Sequence, residues 1–427
     1  MIFSKMSQNQ IFAIFDVPDV SNPIKLFDNE KTNIIEQIET LEIDGSKVSK
    51  ISEYHTFESE GLHTVLFILD SQLEDMSSLF LDCYYLQEID LSGLDTTKVT
   101  SMSELFKRCL SLTTIDFGKM NTSNVTTMDQ MFLGCGNLVS LDLSNFTTSK
   151  VTDMSNMFSA CSSLSSLNLT SFDTSKVKNM NNMFCACTKL ADIDLSKFNT
   201  RNVTDMNSMF YGCKKLQFLD LSNFDTSNVE DMHGLFAHCK KLSFLNVANF
   251  NTKKVKYMQY MFDSCNSLVF LDLSSFSTDL VENMKFMFFG CNSLSTLDLS
   301  MFNIENVKDL RNMFHGCSSL VMLDLSNFGE NSVSEVNYMF SECSSLVQVD
   351  LGNFFSENIN DVSHMFDGCE KLNTIDMRKF DMSNVESFEG FFEGLPHDGS
   401  FIYNDTFFDE LVNLIPGSWE KIKERKT

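Results

Sequence analysis

The sequence predicts an α/β solenoid built from about 12 strand-turn-helix units, and three observations carry that prediction. Cysteine recurs at Cys83, Cys109, Cys135, Cys161, Cys187, Cys213, Cys239, Cys265, Cys291, Cys317, Cys343 and Cys369 with a constant spacing of 26. Phenylalanine stands three residues before each of them, from Phe80 to Phe366, and its row continues to Phe392, where Leu395 takes the place of cysteine. The four prolines, Pro18, Pro23, Pro396 and Pro416, all lie outside this array, as expected where every backbone amide is needed for pairing. A fixed period of this length marks units that bury their apolar face only against their neighbours.

Two periodicities divide each unit. Around Cys213, residues Val203, Met206, Met209, Phe210, Cys213 and Leu216 recur at helical spacing, which predicts one face of a short helix. Leu219 and Leu221 then alternate with Asp220 and Ser222, the pattern of a strand with one buried face, and Phe224 closes the unit before the polar turn "DTSN". Asn202 with Asp205, Asn228 with Asp231 and Asn306 with Asp309 stand where side-chain oxygens would cap the next helix. At about 5 Å per strand the units are expected to stack into a rod or shallow arc, roughly 60 Å long, with one parallel sheet on one side and helices on the other.

The ends of such a stack need covering. Residues 1–62 lack the repeat, and "QIFAIFDV", "PIKLFD" and "IETLEIDGSKV" read as short strands with "DG" as a turn, which predicts a small β-rich N-terminal cap. The solenoid itself is assigned to residues 63–395. Residues 396–427 form the expected C-terminal cap, in which "FIYNDTFFDELVNLIPGSWEKIK" supplies a strand, a short amphipathic helix and Trp419 to fold over the last rung. Phe388, Phe391 and Phe392 bring extra bulk to the same end.

The ordered recurrence of "MF-x-x-C-x-x-L", "LDLSxF" and "DTSNV" resembles the BspA-like leucine-rich repeat family, in the 26-residue form also found as a domain of unknown function in mycoplasma surface lipoproteins. The resemblance covers about residues 63–395, and "YHTFESEGLHTVLFIL" is similar to the strand pair that often precedes such arrays. It implies a right-handed, leucine-rich-repeat-like solenoid, a non-enzymatic role, and often a place on cell surfaces as an adhesin or binding protein.

Composition narrows the function classes. The 427 residues carry a net charge of −26, which argues against a phosphate-backbone partner and favours a basic protein partner or cations. The N-terminal "MIFSKMSQNQIFAIFDVPDV" shows no secretory pattern, no apolar run of about 20 residues occurs, and "WEKIKERKT" offers no lipidation motif. The expected location is therefore cytoplasmic as written, with no membrane insertion, against the cell surface that the resemblance implies. Thirteen cysteines, twelve of them in one column and Cys185 the stray, read as a buried ladder of unpaired thiols, because ligands of a metal must converge on a point. The seven histidines share no column, no phosphate loop or nucleophile elbow occurs, and neither a cofactor nor an enzymatic role is expected.

Three surface columns remain as candidates. The strand aspartates Asp90, Asp116, Asp142, Asp194, Asp220, Asp272, Asp298, Asp324, Asp350 and Asp376, with Asn168 and Asn246 between them, would either bind cations or accept amides of the adjoining turn. The Thr and Ser of "DTS" would either present hydroxyl rows, as an ice-binding face does, or simply serve turn chemistry. The favoured column is the outward strand position, which is polar at Glu88, Thr114, Ser140, Ser166 and Asp192 but becomes Phe218, Phe244 and Phe270 in three successive units. With Lys214, Lys215, Lys240 and Lys241 nearby, and Lys215 and Lys241 steering an acidic rim, these rings predict a protein-binding hot spot. The reading is a non-enzymatic protein-binding solenoid, adhesive or scaffolding; the alternative is a structural rod whose polar ladders contact cations, glycans or ice.

Overall fold

A computed structural model describes residues 9–424. The chain divides into two compact units, one reaching to Val203 and including Gly212–Lys215, the other comprising Thr204–Tyr211 and the chain from Leu216 onward.

The first unit opens with β1 (Gln10–Val17), β2 (Ile24–Lys25), β3 (Ile38–Ile43), β4 (Ser46–Lys47), β5 (Tyr54–His55) and β6 (Gly61–Leu69). Asp44 and Gly45, at φ 48° and 75°, join β3 to β4 with the two left-handed residues that a tight hairpin demands. The repeats begin with β7 (Leu86–Asp90) and β8 (Thr114–Asp116), and one six-stranded sheet runs β4-β3-β6-β1-β7-β8. Strand β1 is antiparallel to both β6 and β7, whereas β7 and β8 are parallel, so the antiparallel N-terminal strands hand their edge to the first rungs.

The second unit carries β9 (Phe218–Asp220), β10 (Phe244–Asn246), β11 (Met322–Asp324), β12 (Gln348–Asp350), β13 (Thr374–Asp376), β14 (Ser400–Tyr403), the helix α1 (Asp409–Leu414) and β15 (Glu420–Lys423). Strands β9 and β10 pair in parallel, and β11 to β15 form a five-stranded parallel run. The single uninterrupted parallel sheet expected from the sequence is thus replaced by separate runs. A second parallel ladder of single bridges occupies another side of the rungs, through Ser101, Thr127, Asp153 and Asn179 in the first unit and from Asp205 to Ser387 in the second.

The helix expected in every unit does not form. Between Met258 and Cys265, the amides of Met258, Tyr260, Phe262 and Ser264 donate to carbonyls one rung on, at Asn283, Lys285, Met287 and Phe289. The alternate amides of Met261, Asp263 and Cys265 close turns on the carbonyl three residues back, and none uses the four-residue step of an α-helix. Tyr260 and Ser264 hold φ of 60° and 56°, and a left-handed residue at every fourth position interrupts right-handed coiling. Two successive turns place positions i, i+3, i+4 and i+7 on one side just as a helix would, which is why the apolar spacing suggested one. The expected helix caps change role accordingly. Asn202 and Asn306 donate their side-chain amides to the carbonyls of Ser175 and Asp279 in the preceding rung, both at 2.7 Å, while Asp231 and Asp309 accept the amide two residues on.

Every inward column is a ladder of like residues. The Phe106, Phe132 and Phe158 rings stack at 5.9 and 5.7 Å in the first unit, and Phe236, Phe262 and Phe288 at 5.7 and 5.5 Å in the second, all fully buried. From Cys109 to Cys369 each column thiol donates to the carbonyl of the phenylalanine one rung back, at 3.0–3.2 Å, and the thirteen cysteines are thiols rather than disulfides. The threonine of "DTS" is buried and acts as a cross-rung clamp. Thr122 donates its hydroxyl to the Thr147 carbonyl at 3.0 Å and accepts the Thr147 amide at 2.7 Å, and Thr226 bonds Asn251 in the same sense. The "DTS" threonines therefore do not form the exposed row that an ice-binding face requires. At the C-terminus, Trp419 is buried and donates its indole N–H to the Pro396 carbonyl at 3.0 Å, and β14 and β15 extend the parallel run beyond the last cysteine.

Candidate functional site

Period-two geometry sets the orientation of the aromatic column. Leu219 and Leu245 point into the core at the centres of β9 and β10, so Phe218 and Phe244, one residue earlier, point outward. The two are register partners, and their rings are stacked with centroids 4.4 Å apart and planes 3° from parallel. Phe218 is 50% exposed, Phe244 46% and Phe270 68%. Phe270 sits on a rung without strand pairing and makes no ring contact among the described residues, so the structure joins two of the three predicted rings and leaves the third alone.

Lys241 is exposed in the second unit, as is Lys215 in the first, and neither has a carboxylate partner among the described residues. Apolar residues that the sequence reading did not single out lie in this column and in the one immediately before it. Val269 precedes Phe270 and is 55% exposed, and Met322 at the head of β11 is 63% exposed beside Val321. Their position in the repeat carried that information, but attention to aromatic rings alone hid it.

The aspartate column has another occupation. Asp90, Asp142, Asp220, Asp272, Asp298 and Asp324 each accept the amide of the second residue on, at 2.7–3.0 Å. The serine hydroxyl and amide that face Asp142, Asp194 and Asp272 hold these carboxyls below the usual range. Such carboxylates fix a corner of the rung. Two other groupings escaped the sequence because they join distant segments. His63 bonds Asp44 through Nδ1 at 2.7 Å and the Ser59 carbonyl through Nε2 at 2.9 Å, beside a cavity of about 510 Å³ that His55 also lines. His364, Asp367 and Glu393 bring one potential ligand atom each within 4.8 Å of one another, a half-exposed set with the chemistry for a divalent cation.

The family described as "Mycoplasma protein of unknown function, DUF285" matches residues 74–194, 109–218, 139–242, 186–298, 212–322 and 289–400, which together span most of the chain. The chain belongs to this family. The six matches overlap along the array, and each spans several of the 26-residue rungs. No curated protein matches the chain. Among solved structures, a leucine-rich-repeat protein of Leptospira interrogans is similar at 13% identity over 79% of this chain and 89% of that one, with a TM-score of 0.28. The functional domain of InlJ from Listeria monocytogenes, which includes a cysteine ladder, is similar at 14% identity over 86% and 76%, with a TM-score of 0.18. At these scores neither likeness carries detail across. No helix among the described residues is long and apolar enough to cross a membrane.

Proposed function

We propose that this DUF285 protein is a non-enzymatic protein-binding solenoid, and that its partner docks on the outward column headed by Phe218, Phe244 and Phe270. The observation that carries the reading is the stacked pair Phe218 and Phe244, two rings about half exposed on adjacent paired strands. Rigid aromatic rings supply contact area at little entropic cost, and they serve no need of the repeat core, which lies on the other face of the strand. Val269 beside Phe270, and Val321 with Met322 further along, add exposed apolar surface on the second unit, and there Lys241 draws an acidic rim toward it. The alternative of a passive rod working through regular ladders has less to stand on, since its "DTS" threonines are buried and its aspartates engage backbone amides. We place residues 1–62 and 396–427 as caps on the repeats of 63–395, and display at the cell surface, as the family resemblance implies, is the setting in which an adhesive role operates.

The test is a triple change, Phe218→Thr, Phe244→Thr and Phe270→Thr, using the residue already present at Thr114, Thr296 and Thr374 in this column. Folding and thermal midpoint should stay as in the unaltered chain, while capture of the partner, read by crosslinking and mass spectrometry, is lost. Capture at unchanged affinity would remove the aromatic column from the function.

A further inference from the structure

A second aromatic row lies on the turn side of the second unit. The first left-handed position of the rung recurs at Tyr260, Phe286, Asn312, Tyr338 and His364, with φ between 55° and 60°. In the first unit the same column holds Ser78, Glu104, Gln130, Asn156 and Asn182. Large rings are disfavoured in this backbone region, so their succession here needs a compensating contact. They stack: Tyr260 on Phe286 at 5.0 Å and 16°, and Tyr338 on His364 at 4.7 Å and 11°. Phe289 adds a flank, 5.4 Å from Phe286 and stacked on His315 at 4.8 Å.

One rung interrupts the row. Asn312 stands between Phe286 and Tyr338, and there the surface opens into a cavity of about 370 Å³, at the small end of the range for small-molecule sites. Its walls are the two rings that would have sandwiched a third. Around the gap lie Lys285, Arg311, Asn312, Asn337 and His315. Arg311 is held in a fork by Asp309, at 3.0 and 2.8 Å, whereas Lys285 lies 5.7 Å from the Tyr260 ring centre and has no carboxylate partner among the described residues. Asn337 Oδ1 and His315 Nδ1 are buried without a hydrogen-bond partner, and burial lowers the His315 pKa, which keeps that imidazole neutral.

We propose that this gap binds one pyranose ring of an acidic glycan, a sugar carrying a carboxylate. A pyranose presents polarised C–H bonds to an aromatic face and hydroxyls around its edge. It therefore matches both the rings of Phe286 and Tyr338 and the polar rim of Asn312, Asn337 and His315. The carboxylate goes to the uncompensated Lys285 ammonium. A phenylalanine ring from a peptide would satisfy the sandwich and leave that polar rim unpaired, which costs binding energy. The site shares no residue with the proposed protein-docking column, so the two readings stand or fall separately.

Saturation-transfer NMR on the full chain tests the proposal, with glucuronate, N-acetylneuraminate, glucose and N-acetyl-phenylalaninamide as probes at millimolar concentration. The expected result is transfer from at least one of the two acidic sugars, several-fold stronger than from glucose. Asn312→Tyr should abolish it, because the new ring completes the stack, and the fold should persist, since tyrosine already occupies this column at Tyr260 and Tyr338. Lys285→Gln should reduce the acidic sugar to the level of glucose. Three outcomes overturn the assignment: no transfer from any sugar, transfer that survives Asn312→Tyr in a folded protein, or N-acetyl-phenylalaninamide binding better than the sugars.

Discussion

The two units have the same inward columns and different outward ones. Phenylalanine, cysteine and the clamping threonine repeat through both, each with the same partner one rung away. On the surface, the left-handed column runs through Ser78, Glu104, Gln130, Asn156 and Asn182 in the first unit and Ser208 and Gly234 at the start of the second before rings enter it at Tyr260, Phe286, Tyr338 and His364, and the outward strand column changes from Glu88 and Thr114 to Phe218 and Phe244. Stacking fixes the inward residues, because each must fit a copy of itself in the next rung; nothing in the fold demands rings outside. The large outward rings of these two columns thus fall in the second unit.

Equality of the interiors is the easiest part to break. Phe132→Ala in the first unit and Phe262→Ala in the second should each cost roughly 3–5 kcal/mol, because each ring is stacked on both sides and its neighbours cannot close over the gap. Local hydrogen exchange should show the loss spreading only to adjacent rungs. Costs that differ strongly between the two sites would mean that the interiors are not equivalent.

A smaller effect probes the clamps. Thr122→Val and Thr226→Val keep the shape but remove two cross-rung hydrogen bonds each, and denaturant titration should register about 1–3 kcal/mol for each. Neutral substitutions would show that the threonines merely fill space.

The first unit has an acid sensitivity of its own. Burial raises the Glu104 carboxyl, but hydrogen bonds from Lys107, Lys31 and Ser78 outweigh it and draw the pKa down to about 2. A depressed carboxyl contributes its stability above its ordinary value near 4.5 and loses it as pH falls through about 2. Glu104→Gln should flatten that part of the stability–pH curve, as followed by circular dichroism. An unchanged curve would place the acid response elsewhere.

The smallest expected change is a gain. Ala160 and Ala186 hold φ of 58° in the column that Gly134, Gly290 and Gly316 occupy elsewhere. Ala160→Gly should stabilise its rung by about 1 kcal/mol, by relieving the Cβ clash of the left-handed conformation. A loss of stability there would show that chain entropy outweighs the clash.

Much of this was legible in the chain. The period, the buried columns and the outward direction of Phe218 and Phe244 all follow from counting, because a residue's place in the rung fixes its burial. The helix was misread because apolar spacing cannot separate a helix from two consecutive turns. The distinguishing mark was Gly212, Gly290, Gly316 and Gly368 immediately before cysteine, a poor residue for a helix interior and a good one for φ above zero. The aromatic row from Tyr260 to His364 stayed hidden for the same reason, since its column exists only once the left-handed positions are known. The clamping role of threonine also requires the neighbouring rung, which no single repeat displays.

The cysteine column has a chemical consequence. Each thiol from Cys109 onward donates to the carbonyl of the phenylalanine behind it, and burial raises the pKa of thiols such as Cys109, Cys161, Cys265 and Cys343, and lifts it to about 12 at Cys317 and Cys369, which disfavours their thiolates near neutral pH. A folded rung is silent toward alkylating reagents and oxidants, and it becomes reactive only when it opens. Twelve evenly placed thiols therefore act as a row of position-specific clocks. Mass spectrometry of a timed iodoacetamide pulse would date the opening of each rung separately, so the molecule carries its own record of where it frays.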